Sequence, residues 1–130
     1  MTLKLKKIAA IVIAGSVGFG TSAAFAAGDA ANGANLFKSN ICSACHAVVK
    51  GGPSPVGPSL FGVVGRKAGS LTGYSYSPAM KAAGITWDEA TIAKYVMSPS
   101  TVVPNNKMIF AGIKKESDAN DVAAYLATLK

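Results

Sequence analysis

The five residues Cys42-Ser43-Ala44-Cys45-His46 constrain this chain more than any other stretch, because they hold both of its cysteines and its only histidine. Two cysteines three apart share one side of a helical turn, and C-x-x-C-H is the spacing at which a c-type haem is attached. Both sulfurs would reach the two vinyl groups along one porphyrin edge, and the histidine that follows would turn its imidazole to the iron. A thioredoxin-like redox pair would need a βαβ setting, whereas Cys42 follows a helical pattern and precedes a Gly/Pro loop. A structural zinc site needs four protein ligands, and the chain's cysteines and histidine number three in all.

Residues 1–26 read as a cleavable secretory signal peptide. Lys4, Lys6 and Lys7 make a positive start, Ile8 to Phe19 an apolar run, and Ala24-Phe25-Ala26 an A-x-A cleavage site that leaves Ala27 first. The apolar run is interrupted by Gly15, Gly18 and Gly20 and falls short of the ~20 residues of a spanning helix; an uncleaved anchor is the alternative. Export implies an oxidising compartment, where two cysteines by default form a disulfide. The adjacent His46 favours thioether attachment instead, and a bacterial periplasm is the simplest home. Residues 27–130 then form one domain, small enough for a covalently held haem to supply much of its apolar centre.

The formal net charge is +7, and +4 once the three leader lysines are removed. The remaining basic residues are dispersed, with a single arginine, and no nucleic-acid motif accompanies them. Nucleic acid is therefore excluded as a partner in favour of a weakly basic docking face.

Apolar spacing predicts a first helix from about Asp29, its N-cap, to Ile41, with Gly33, Leu36, Phe37 and Ile41 on one face. Residues 47–73 are rich in glycine and proline and predict loop. A short helix follows, with Ser77 as N-cap, Pro78 at its first position and Gly84 just past its end. Thr86 and Glu89 have the spacing of a capping box for a helix that stops before Ser98-Pro99. Residues 98–115 predict irregular chain. A last helix, capped near Ser117, carries Val122, Tyr125, Leu126 and Leu129 at helical spacing.

With His46 as one axial ligand, the second strong ligand is a methionine or nothing. Met80 and Met97 fall within predicted helices, where methionine usually fills core. Met108 falls in a loop that can present its thioether across a haem face, and His/Met ligation is a known arrangement. A ligating histidine gives its second ring N–H to a fixed acceptor, and Pro58 in the stiff Gly57-Pro58-Ser59-Leu60 loop is the candidate. Arg66 suits pairing with a haem propionate. Trp87, the only tryptophan, needs a carbonyl or propionate for its indole N–H if buried.

The combination of C-x-x-C-H with Gly33…Phe37, Gly57-Pro58-Ser59-Leu60-x-Gly, Gly65-Arg66-Lys67, Tyr74-Ser75-Tyr76, Gly84-Ile85-Thr86-Trp87, Tyr95 and Pro104 to Gly112 resembles class I cytochrome c, in its mitochondrial and bacterial cytochrome c2 branch. The resemblance implies an all-α fold with the terminal helices crossing near Gly33, Phe37, Tyr125 and Leu126. It implies one haem c bound through Cys42 and Cys45, with His46 and Met108 on the iron and Pro58 accepting from the His46 ring. Arg66, Tyr76 and Trp87 would sit by the propionates, and Tyr95 would donate toward the Met108 sulfur. The implied role is a monomeric periplasmic one-electron carrier, not an enzyme. Its expected donor is a bc1-type complex, and its expected acceptor a terminal oxidase or photosynthetic reaction centre. Phe37 to Cys42 is one residue longer than in the common mitochondrial pattern, and Met80 and Asn106 depart from it. The alternative class, a small peroxidase or gas-binding haem protein, needs a distal acid–base group; the chain has no second histidine and its six carboxylates are scattered.

Overall fold

The computed structural model describes residues 26–54 and 56–130. The expected leader, residues 1–26, lies almost entirely outside the described residues. Five α-helices carry the fold: α1 (Ala30–Ser39), α2 (Pro78–Ala82), α3 (Glu89–Met97), α4 (Pro99–Val102) and α5 (Glu116–Ala127). A single 3₁₀ turn, Cys42–Ala44, follows α1, and the one β-type pairing among the described residues is an isolated antiparallel bridge between Lys67 and Thr86. The protein is all-α.

α1 starts where Asp29 caps it, its carboxylate accepting from the N–H groups of Ala31 and Asn32. It packs on α5, and α3 packs on the same helix. A Cβ built at Gly33 would lie 1.9 Å from the Asp121 carbonyl oxygen and 2.9 Å from the Tyr125 Cβ, so only glycine allows this approach of the two backbones. One turn on, Phe37 meets Tyr125 with ring centroids 5.6 Å apart. The crossing therefore falls at the expected residues. A carboxylate bolts it. Asp121 Oδ1 accepts from the Asp29 N–H at 2.7 Å, and its Oδ2 from the Asn32 side-chain amide at 2.7 Å. These two bonds, the Asn32 amide first, hold the Asp121 pKa below its ordinary value.

α2 begins as expected, with the Ser77 hydroxyl accepting from the Met80 N–H at 3.0 Å and Pro78 at its first position. Four expectations need correction. The capping box of α3 is not Thr86 with Glu89 but Asp88 with Thr91: the Asp88 carboxylate accepts from Thr91 N–H at 2.7 Å, and the Thr91 hydroxyl accepts from Asp88 N–H at 2.9 Å. Thr86 is held extended in the Lys67 bridge, and Trp87 N–H donates to the Arg66 carbonyl at 2.9 Å, so the helix cannot open before Asp88. Ser117 is not the cap of α5. The helix begins at Glu116 behind Lys115, which supplies no side-chain cap; Glu116 and Asp118 face the positive end of the helix dipole instead. Finally, residues 98–115 are not all irregular, because Pro99 both ends α3 and opens α4. α1 is also shorter than expected, stopping at Ser39, since Ile41 turns into the left-handed region at φ 62°.

Candidate cofactor cleft

Between α1, α3 and α5 on one side and the loops 56–66, 74–77 and 106–108 on the other lies a cleft open to solvent. Its inner wall is core: Phe37, Ile92, Val122 and Leu126 are all nearly inaccessible. Cys42, Cys45, His46, Pro58, Arg66, Tyr76, Trp87, Tyr95 and Met108, every site residue singled out from the sequence, line this one cleft.

The 3₁₀ turn brings the two thiols to the cleft, with the Cys45 and His46 N–H groups both donating to the Cys42 carbonyl, at 3.1 and 3.0 Å. Both cysteines are free. Burial pushes the Cys42 thiol pKa up, so it is not held as the exposed thiolate of a redox pair. The imidazole of His46 is fixed from behind by its Nδ1–H, which donates to the Pro58 carbonyl at 2.7 Å. That bond leaves Nε2 as the ring nitrogen without this partner. Burial lowers the His46 pKa against the opposing pull of Pro58, which favours the neutral ring, the form that binds a metal. Gly57 makes room for it: a Cβ there would stand 2.5 Å from His46 Cε1 and 2.7 Å from Nδ1.

Met108 is set by its own loop. Asn105 adopts φ 63°. The Asn106 side-chain amide donates to the Val103 carbonyl at 2.8 Å, while its Oδ1 accepts from the Met108 N–H at 2.7 Å. Lys107 ties the same loop across to the 74–76 segment, Nζ donating to the Ser75 carbonyl at 2.9 Å. Beyond Met108 the chain returns to α3, where Gly112 passes so close that a Cβ would lie 2.0 Å from the Met97 carbonyl oxygen.

The other residues from the sequence occupy two groups. Arg66 turns its guanidinium inward, donating to the Ser59 carbonyl at 2.8 Å; burial lowers its pKa, and Tyr76 acts in the opposite direction. Tyr76 packs edge-on against Tyr74, with centroids 4.7 Å apart. Trp87 and Tyr95 tilt against each other at 5.1 Å, and burial raises the Tyr95 hydroxyl to about 12. Sequence reasoning did not single out Gly57 against the imidazole, Asn106 as the brace of Met108, or Tyr74, whose hydroxyl donates to the Val56 carbonyl at 2.9 Å. Gly57 carried a signal as the glycine ahead of Pro58, while Tyr74 and Asn106 stood out only within the stretches compared with the family pattern.

The donor set fits a haem: two thiols from one turn, an imidazole oriented by a carbonyl, a loop-borne thioether, and an apolar inner wall. The described residues hold no cluster of three His, Cys, Asp or Glu able to bind a bare metal ion. Comparison with known proteins agrees. The family model for cytochrome c matches residues 30–130. The chain is 47% identical over 118 residues to cytochrome c2 of Rhodomicrobium vannielii, covering 91% of this chain and 93% of that protein. It is 45% identical over 125 residues to cytochrome c-554 of Methylosinus trichosporium (95% and 93%), and 48% identical over 101 residues to cytochrome c of Gibberella zeae (78% and 94%). The chain belongs to the cytochrome c family: an electron-transfer protein rather than an enzyme, carrying haem c through Cys42 and Cys45.

Proposed function

We propose that His46 and Met108 would hold the haem iron, and that the chain, trimmed of residues 1–26, shuttles single electrons in a bacterial periplasm. The donor is a bc1-type complex and the acceptor a terminal oxidase or photosynthetic reaction centre. The observation that carries the reading is the convergence of an imidazole fixed at Nδ1 by Pro58 and a thioether braced by Asn106 on one apolar cleft. Haem c supplies a one-electron couple at its iron.

The protein's part is to choose the potential and to hold still. A thioether is a soft ligand that favours the reduced iron, and a dry apolar wall disfavours added charge. The bonds that fix His46, Asn106 and Lys107 in place leave little to rearrange when the electron moves. On the family resemblance, Arg66, Tyr76 and Trp87 would serve the propionate edge, and Tyr95 would donate toward the Met108 sulfur. The periplasmic reading rests on the leader-like residues 1–26, and the redox partners named rest on the cytochrome c2 resemblance.

Two measurements test it. The intact mass of protein matured in a bacterial periplasm equals residues 27–130 plus one haem; a mass that retains residues 1–26 removes the cleavage reading. Met108→Ala loses the sulfur-to-iron absorption band and the low-spin ferric spectrum, and its reduction potential falls, while Met80→Leu keeps all three. The reverse pattern would move the ligand to Met80.

A further inference from the structure

We propose that Asn32-Gly33 is a self-modifying site: while the seam between α1 and α5 is open, Asn32 converts to aspartate or isoaspartate with loss of ammonia, and the converted chain closes that seam less well. Asn32 is the chain's only asparagine followed by glycine, and the chemistry belongs to that pair. The main-chain nitrogen of Gly33 attacks the Asn32 side-chain Cγ and gives up its proton to water. A C–N bond forms, the side-chain amide leaves as ammonia, and a succinimide ring remains. Water then opens the ring at either carbonyl, giving aspartate or isoaspartate. One water is consumed and one ammonia released, with no change of oxidation state. Glycine makes the nitrogen reachable, because it has no Cβ in the way and its backbone turns freely.

The fold holds both reacting groups. The Gly33 N–H donates to the Asp29 carbonyl at 2.8 Å, and the Asn32 side-chain amide donates to Asp121 Oδ2 at 2.7 Å. Ring closure needs both bonds broken and the helical backbone turned out of its α conformation. Asp121 also acts one step back. Its Oδ1 accepts from the Asp29 N–H at 2.7 Å, and the Asp29 carboxylate in turn caps the N–H groups of Ala31 and Asn32 at 2.9 and 3.1 Å. One carboxylate on α5 thus pins the whole first turn of α1. That turn is weak without it, being a helix end, where helices fray, with a glycine inside it. Asn32 is exposed, so water reaches the amide, and docking on α5 is what restrains the reaction.

The product undoes the clamp. A carboxylate at position 32 would face the Asp121 carboxylate across what is now a 2.7 Å hydrogen bond, and like charges at that range repel. Isoaspartate also adds a methylene to the main chain directly ahead of Gly33, which breaks the helical register. A chain whose ends stay apart therefore gathers a mark that keeps them apart, and a chain that closes promptly is spared. The site is a timer on closure of the seam.

Haem-loaded protein is held in mildly alkaline buffer, natively and in guanidinium chloride. Peptide mass spectrometry with electron-transfer fragmentation then follows conversion at Asn32 and at Asn35, an exposed asparagine of the same helix that leucine follows. In guanidinium, Asn32 of the wild type converts faster than Asn35, and Gly33→Ala removes the difference. In native wild type, conversion at Asn32 is slowed by more than about tenfold. Native Asp121→Ala regains about tenfold in rate, having lost both clamp bonds. Asn32→Asp melts below wild type with an unchanged visible spectrum, since Asn32 does not line the cleft. Equal conversion in native and unfolded wild type, an unfolded Asn32 no faster than Asn35, a native Asp121→Ala rate equal to wild type, or Asn32→Asp melting at or above wild type would each overturn the proposal. The wild-type comparison decides it even where Asp121→Ala does not fold.

Discussion

Gly33→Ala sets two magnitudes against each other. Within a helix, alanine is favoured over glycine by roughly 0.8–1.0 kcal/mol, so on propensity alone the variant is the more stable. The crossing says otherwise. The new Cβ would sit 1.9 Å from the Asp121 carbonyl oxygen, where ordinary contact begins near 3.4 Å, so α1 and α5 must part locally by about 1.5 Å. The obstacle is helix backbone, which cannot swing aside as a long side chain would. Overpacking of this kind costs about 1–3 kcal/mol. Parting the helices also strains the Asp121 bonds to Asp29 and Asn32, each 2.7 Å long, and forfeits part of the dispersion energy along the seam from Phe37 to Tyr125. The net is a destabilisation of about 2 kcal/mol, equivalent to a fall in melting temperature of roughly 8–16 °C for a domain of this size. Thermal unfolding of the haem-loaded protein, followed by far-UV circular dichroism, measures it. Gly33 does not line the cleft, so the visible spectrum stays that of wild type. A melting temperature equal to or above wild type would refute the reasoning, because propensity would then have won over packing.

Gly57→Ala drives the His46 ring off its position, since the added Cβ meets Cε1 at 2.5 Å. The bond from Nδ1 to Pro58 breaks, and the low-spin ferric signal in electron paramagnetic resonance weakens or shifts although both cysteines remain; an unchanged signal would refute the fit. Asp121→Ala lowers the melting temperature near neutral pH by removing both clamp bonds. The Asp121 pKa is depressed in the fold, so its contribution is present above the unfolded carboxylate pKa of about 4 and fades as pH falls through the lower folded value. Wild type and Asp121→Ala therefore converge in melting temperature at acid pH, and a gap that persists or widens there would refute it.

What could be read from the sequence was what chemistry makes scarce or local. A chain with one histidine and two cysteines offers few ways to hold a metal, and all three lie in five residues. Pro58 was legible because a stiff loop with a carbonyl is the acceptor a ligating histidine needs, and it does accept, at 2.7 Å. Misreadings arose where tertiary pairing overrode local signals. Thr86 and Glu89 have capping-box spacing, but the bridge to Lys67 claims Thr86 for extended chain and hands the cap to Asp88. Pro99 signals a stop in sequence and equally a start, and in the fold it is a buried first residue of α4. The left-handed turn at Ile41 had no signal, because its residue type argues against it. Asn106 read as a departure from the family pattern and Lys107 as one of the basic residues; that they brace and tether the Met108 loop shows only in their bonds to the carbonyls of Val103 and Ser75.

The seam between α1 and α5 also sets an order of events. Residues 40–115 lie between the two helices, and closing a loop of that length costs about 4 kcal/mol in chain entropy. Non-local pairing of this kind makes folding slow, and during synthesis α5 emerges after the other four described helices. Cys42, Cys45 and His46 need no such closure, because they are contiguous. The two thiols are therefore available to a porphyrin in a chain whose Met108 loop and α5 wall have not yet assembled. A haem attached at that stage would give the apolar faces of Phe37, Ile92, Val122 and Leu126 a body already tethered to the chain to gather around. Closure of the two ends would then complete the cleft's inner wall, and a chain that lost either end after attachment would keep its haem but not that wall.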